Sequence, residues 1–273
     1  MSHRQRPRRP ADKLRMNFSK SVVGLIALAT TALCGTQAHG EAIAAMRAAE
    51  EQLILVGGAT GRTGFRIVQL VQQRGYRVRG MTRNRQGAIE TFGNGIEWIE
   101  ADVRDPDSLV AAFDGVDKFI NAIGTESRGL ENTPEEIKYR GLIALVDAAE
   151  TAGVTYFGLI SSGGVNDAAT YIAQNRNDSL TWTFKGEEYL RASGLPYTVV
   201  RPGGMRDYPA GENGILLLQK EESSGLITRS DVAAVMVECL SNLHAIDKTF
   251  AIVNYIALDP ESWRKELVTL QLD

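Results

Sequence analysis

Leu53-Ile54-Leu55-Val56-Gly57-Gly58-Ala59-Thr60-Gly61-Arg62-Thr63-Gly64 is the stretch on which the fold turns. Four apolar residues in a row, 53–56, read as a strand covered on both faces. Glycines at 58, 61 and 64 follow at once. From Gly64 to Arg74 the apolar residues Ile67, Val68 and Val71 share one helical face, and Gly75 marks the stop. Three spaced glycines between strand and helix supply a tight turn, bare backbone for a pyrophosphate to approach, and close helix–strand packing. The helix start adds free N–H groups and a partial positive charge. Packing glycines in a plain turn are the alternative, but the strand–loop–helix context is the one a dinucleotide site requires. Gly58, Thr60, Gly61, Arg62, Thr63 and Gly64 are therefore candidate cofactor residues.

Outward from this loop, strand-length apolar runs alternate with helix-period segments. Tyr76 to Thr82, Ile96 to Ile99, Phe119 to Ile123, Tyr156 to Ile160, Tyr197 to Val200 and Phe250 to Tyr255 read as six further strands. Asp105-Pro106 opens a helix with proline at its first position. Thr133-Pro134-Glu135-Glu136 has the form of a capping box, its helix running through Leu142, Val146 and Ala149 to Gly153. Glu187 to Ala192 is helical. Repeated βα units predict an α/β fold, a doubly wound parallel sheet, as one domain over residues 43–273. Trp98 and Trp263 read as packing aromatics, and Cys239 as a buried small hydrophobe on a helix over 231–240. Asp231 suits the positive end of that helix.

Composition narrows the function classes. The chain has 273 residues, 44% hydrophobic and 23% charged, which excludes collagen-like and disordered classes. Two cysteines, Cys34 and Cys239, make neither a disulfide framework nor a thiolate cage. The histidines His3, His39 and His244 are scattered, so no metal site is expected. A Ser-His-Asp hydrolase is hard to build when only His244 lies beyond residue 40. Residues 1–20 hold seven basic side chains and one acid, against 23 basic and 32 acidic in the remainder. So acidic a body is not expected to bind nucleic acid.

The cofactor type turns on the end of the second strand, Met81-Thr82-Arg83-Asn84-Arg85, which has no acid until Glu90. NAD sites usually place a carboxylate there for the ribose hydroxyls. Arg83 suits a 2′-phosphate instead, and Arg62 is near enough in the loop to close over the same group. NADP(H) is expected, with NAD(H) as second choice. The alternative is that both arginines are solvated loop residues.

These residues resemble the short-chain dehydrogenase/reductase superfamily, in its atypical NAD(P)H-binding branch of biliverdin-reductase-like, quinone-reductase-like and nitrogen-metabolite-repression-regulator-like proteins. The likeness spans about residues 52–255. It rests on Gly58-Ala-Thr-Gly61-Arg-Thr-Gly64, Arg83, Ala101-Asp102-Val103, Ser161-Ser162 and Lys185-Gly-Glu187-Glu-Tyr-Leu190. It continues through Ser193-Gly-Leu-Pro-Tyr-Thr-Val-Val-Arg201-Pro202-Gly203-Gly204 and Ile227-Thr-Arg-Ser-Asp231-Val-Ala233. The resemblance implies an NAD(P)-binding Rossmann fold. It implies that Asp102 and Val103 contact the adenine, and that Asn121, Ala122, Ile123 and Gly124 line the ribose and nicotinamide. It further places Lys185 at the nicotinamide ribose and Pro202, Gly203 and Gly204 beside the carboxamide. A C-terminal region, about 203–273, then forms the substrate side.

One departure bears on chemistry. Ordinary members use Tyr-x-x-x-Lys, the tyrosine as acid and the lysine lowering its pKa. Counting back from Lys185, the tyrosine position is Thr181, whose hydroxyl is too weak an acid for that role. Three readings follow. Hydride passes to a conjugated acceptor that takes its proton from solvent; or Ser162 or Tyr171 acts as the acid; or the protein binds nucleotide without turnover, as a redox sensor or assembly factor. Ser162 reads equally well as a strand-end turn, and Tyr171 better as a packing aromatic. Arg229, opening the last helix, is a weaker candidate for anchoring substrate. The preferred reading is an NADP(H)-dependent reductase of a small aromatic or conjugated substrate.

At the N-terminus, Ser21 to Gly35 has no charge, follows a basic stretch and precedes the small residues around Ala38 and Gly40. A basic head, short apolar run and small-residue exit predict that residues 1–42 are a signal peptide for export to the periplasm or beyond. The run is short for a stable membrane span. A buried helix or an Arg-rich, acid-poor organelle transit peptide is the alternative. Export conflicts with a nicotinamide site, since such cofactors are scarce outside the cytoplasm.

Overall fold

Leu53–Gly57 (β1) runs through the middle of the molecule and is buried at every position. Its alternate residues pack on opposite sides: Ile54 and Val56 join one apolar cluster, Leu53 and Leu55 the other. That two-sidedness is why the sequence run is continuous rather than alternating. The computed structural model describes residues 50–125, 132–165, 178–219 and 225–273. The segment read as a signal peptide and Tyr171 lie outside the described residues.

After β1 the chain forms Arg62–Gln73 (α1), Arg77–Thr82 (β2), Arg85–Phe92 (α2), Glu97–Glu100 (β3), Pro106–Phe113 (α3) and Lys118–Asn121 (β4). Gly141–Ala152 (α4), Phe157–Ile160 (β5), Asp178–Ala192 (α5) and Tyr197–Pro202 (β6) follow. The C-terminal part comprises Gly204–Arg206 (β7), Gly214–Leu218 (β8), Leu226–Thr228 (β9), Arg229–Cys239 (α6), Lys248–Tyr255 (β10) and Trp263–Glu266 (α7). The main sheet has the order β3-β2-β1-β4-β5-β6-β10-β8, and β7 pairs with β9 apart from it. Every pair in the main sheet is parallel except β10 with β8. The fold is the expected doubly wound α/β Rossmann type, closed by one antiparallel edge.

The two layers have distinct cores. On one side, Ile67, Val68 and Val71 of α1 meet Val232, Val235 and Met236 of α6, with Trp98 and Trp263 in the same cluster. On the other, α3, α4 and α5 bring Phe113, Leu145 and Leu190 onto Phe119 and Phe157. Phe119 packs edge-on to both Phe113 and Phe157, with centroids 4.9 Å apart in each pair. Each such fully buried ring is worth about 1.5–3 kcal/mol of apolar transfer.

Local signals shaped most elements. Pro106 opens α3, and Gly153, left-handed at φ 72, ends α4. The capping box forms by half: Thr133 Oγ1 accepts from the Glu136 N–H at 3.2 Å. The Glu136 carboxylate pairs with Arg140 instead, 3.3 Å from its Nε. Between them, Glu135–Arg140 winds as a π-helical turn leading into α4. Cys239 is buried, and burial pushes its thiol pKa up. Asp231 does more than favour a helix start. It is buried, and its carboxylate accepts from Gly211 N at 2.9 Å and Asn254 Nδ2 at 2.8 Å, while Thr228 caps the helix.

Helix α2 and strands β7, β8 and β9 were not expected from the sequence. In α2 only Ala88 is buried, so no apolar stripe announces it, although Asn84 caps it by accepting from Gly87 N. The strands β7 and β9 are three residues each and exist through their mutual pairing. The short apolar run of β8 reads equally as strand or helix until β10 supplies a partner.

Candidate functional site

The sheet order reverses at β1, with β2 on one side and β4 on the other, so a crevice opens beyond the carboxyl ends of β1 and β4. The glycine loop turns into that crevice. Gly58 has φ +70, and a Cβ on it would stand 2.8 Å from the Ala122 carbonyl oxygen. Gly61 N donates to Gly58 O at 2.9 Å, closing the turn. A Cβ on Gly64 would lie 2.8 Å from the Gly58 carbonyl carbon, so α1 approaches the loop backbone to backbone. Gly61 caps α1 without a side-chain hydrogen bond, and the first turn of α1 holds no acid. The orphan amides of that turn are thus left for an external anion.

A cavity of about 560 Å³ lies on this loop. Gly58, Thr60, Gly61, Arg62 and Thr63 form its floor. Thr82, Arg83, Ala101, Asp102 and Val103, from the ends of β2 and β3, line one end. Ala122, Ile123, Gly124 and Thr125 line it beyond β4, where Asn121 Oδ1 accepts from Ile123 N at 3.0 Å and bends the chain. Gly64 lies behind the loop as a packing residue and is not part of the lining.

The walls are cationic. Arg62, Arg83 and Arg229 all line the cavity, whereas Asp102 is its one acidic residue among the described residues. Arg104 grips Asp102, with Nε 3.0 Å from Oδ1 and Nη2 2.5 Å from Oδ2. That hydrogen bonding holds the carboxyl below its usual pKa, against the opposing effect of burial. Arg83 Nη1 reaches Asn132 Oδ1 at 3.4 Å.

The remaining sequence candidates lie elsewhere. Lys185 is exposed on α5, its Nζ 4.2 Å from the centroid of the Trp182 ring, and is not among the lining residues. Neither is Thr181, one turn earlier on the same helix. Ser162 Oγ donates to Gly163 O at 3.2 Å. Ser161 Oγ donates to Glu187, a fully buried carboxylate that also takes Arg201 Nε at 3.1 Å and Arg191 Nη2 at 2.9 Å. These resemblance-bearing residues thus form a buried polar knot between α5 and β6. Pro202 ends β6, and Gly203 is held by a bond to Ile252 O at 3.0 Å and a close approach to Gly225. Of the C-terminal region, Met205 and Arg229 reach the cavity. Asn132, Ile137 and Met205 are lining residues that carried no signal in the sequence. Among the described residues, no group of three or more His, Cys, Asp or Glu could hold a metal ion.

Residues 58–243 match the family described as NAD(P)H-binding. The chain belongs to this NAD(P)H-binding family. Its match begins at the first glycine of the loop and runs past α6, taking in every wall of the cavity. An uncharacterized chloroplastic protein of Arabidopsis thaliana is 33% identical over 221 residues, covering 77% of this chain and 79% of that one. Sanguinarine reductase of Eschscholzia californica is 28% identical over 239 residues, covering 72% and 87%. NAD(P)H azoreductase of Xenophilus azovorans is 28% identical over 197 residues, covering 69% and 63%. A solved Bacillus halodurans structure, described as a candidate NAD-dependent epimerase/dehydratase, superposes with TM-score 0.70 at 26% identity, over 80% of this chain and 99% of that one. Within the NAD(P)H-binding family the chain is an atypical short-chain dehydrogenase/reductase, and membership supports a nicotinamide cofactor.

Proposed function

We propose that the protein is an NADP(H)-dependent reductase of small aromatic or conjugated acceptors that works without an enzymic tyrosine acid. The observation that carries this reading is a single cavity joining the uncapped start of α1, Arg83 and the Ala122–Thr125 segment. The glycine cradle, which a Cβ at 58 or 64 would fill, suits a dinucleotide diphosphate. A bound nicotinamide cofactor supplies the hydride. The amides of residues 58–63 hold the diphosphate, with Arg62 beside them. Asp102 and Val103 flank the adenine, and Ala122, Ile123 and Gly124 orient the ribose and nicotinamide end.

NADP(H) is favoured over NAD(H) by what stands at the end of β2. Arg83 faces the cavity there, and the nearest lining carboxylate, Asp102, is already engaged by Arg104. The place of Lys185 over Trp182, and of the Ser162 hydroxyl on Gly163 O, supports an acceptor that draws its proton from solvent. The names of two relatives, one a reductase of sanguinarine and one an azoreductase, support reduction as the reaction class. Threonine at 181 favours the second reading, a non-catalytic nucleotide-binding sensor or assembly factor. Stopped-flow mixing of the NADPH-loaded protein with quinones, flavins and enones separates the two. Acceptor-dependent loss of NADPH absorbance is expected; tight NADPH binding with no such loss would establish the sensor.

Residues 1–42 are proposed as a targeting leader. The basic head and short apolar run support export, and the chloroplastic relatives support organelle import instead. No helix among the described residues is long and apolar enough to cross a membrane. Fractionation of a tagged full-length protein with N-terminal sequencing decides between the two routes.

A further inference from the structure

Resting on the reductase reading, we propose that Arg229 is a specificity-determining residue that receives a carboxylate or sulfonate on the substrate, so that the preferred acceptor is a conjugated acid. Its side chain is 12% exposed and lines the cavity at the first position of α6. Nη1 donates to Met205 O at 3.3 Å and to Asp207 Oδ2 at 3.0 Å. Among the described residues Nε and Nη2 make no hydrogen bond, and neither is buried out of reach of solvent. A largely buried guanidinium with three of its five donors unused, on a residue that lines a cavity, is an anion receptor with vacant capacity.

The fold already shows a carboxylate accepted at this place. Asp207 takes Arg229 at 3.0 Å and Arg62 at 3.1 Å, with Arg66 at 3.5 Å. Asp207 thereby fixes the Arg229 fork from one side and leaves its other edge for a second anion. The cofactor diphosphate does not need Arg229, because the amides of α1 and Arg62 serve it. Met205 lies against the same arginine and against Thr63, whose Oγ1 is 3.8 Å from its sulfur. Met205 thus gives its backbone carbonyl to Arg229 and its adaptable thioether to the cavity wall near Thr63, a setting that suits an apolar body ending in an acid group.

The probes 2-naphthoate and 2-naphthamide share shape and ring, and differ in charge and in the amide's NH2 in place of one carboxylate oxygen. Calorimetric titration of each into the full-length protein saturated with NADPH should show naphthoate binding tenfold or more tighter. With NADPH held at saturation for each variant, Arg229→Gln should bring that ratio near one, and Arg229→Lys should retain part of it. Equal binding of both probes to the unsubstituted protein overturns the proposal, as does a loss of NADPH affinity in Arg229→Gln with the probe ratio intact. A probe preference without oxidation of NADPH by any acceptor would sink the reductase reading and leave this anion site standing.

Discussion

Gly64 of α1 and Gly58 of the preceding loop meet backbone to backbone, with no room for a side chain at either position. Gly64→Ala forces its methyl into the Gly58 carbonyl, so the loop backbone must shift to admit it. A stability loss of about 1–3 kcal/mol is expected by urea denaturation. NADPH affinity should fall more than tenfold by fluorescence titration, because the amides that face the diphosphate shift with the loop.

Arg83 is the cavity's arginine at the end of β2. Arg83→Gln should weaken NADPH binding about tenfold or more, in line with the worth of a hydrogen bond to a charged group. NADH binding should change little. Titration of both nucleotides against both proteins checks this, and parallel loss of the two would count against a 2′-phosphate role.

Glu187 is fully buried between Arg201, Arg191 and Ser161. Glu187→Leu removes the carboxylate that takes the buried Arg201 through Nε and Nη2, for an expected loss of about 3–5 kcal/mol. Combining it with Arg201→Met should recover most of that, since two apolar groups of similar volume replace a desolvated pair. Chemical denaturation of the two single variants and the double gives the coupling directly.

Asp102 titrates below its usual 3.8 because Arg104 hydrogen-bonds its ionised form. A depressed folded pKa contributes stability that is fully present above the unfolded value and is lost as pH falls through the folded one. Arg104→Gln should therefore destabilise the protein at pH 7, and the difference should shrink as pH falls below 3.8 and through the lowered folded pKa. The pair is partly solvated, so an effect below about 1 kcal/mol is expected. Melting temperatures measured from pH 7 to pH 2.5 test the convergence.

Short-range patterns carried much of the architecture. The buried run 53–56, the glycines at 58, 61 and 64, the Pro106 start and the Gly153 stop are all statements about neighbours in sequence, and each is realised where the pattern places it. Arg83 was legible for the same reason, at the end of a recognisable strand, whereas Asp102 and Ala122 entered through the family resemblance; all three line the cavity because parallel strands deliver their ends to one edge of the sheet. Lys185 shows the reverse case. The resemblance alone set it at the nicotinamide ribose, and on α5 its Nζ stands over the Trp182 ring.

By itself, then, the amino-acid order determined a parallel α/β sheet, a glycine loop between its first strand and helix, and the cationic residue after the second strand. Tertiary structure alone decided that Met205, Arg229, Asn132 and Ile137 would face that loop, and that Asp207 would hold two of the cavity's arginines. Residues about 70 to 170 positions from the loop become its neighbours only when α6 packs on α1 and the sheet order doubles back at β1. No local periodicity encodes that approach, because it is the joint burial of two distant apolar faces that brings it about.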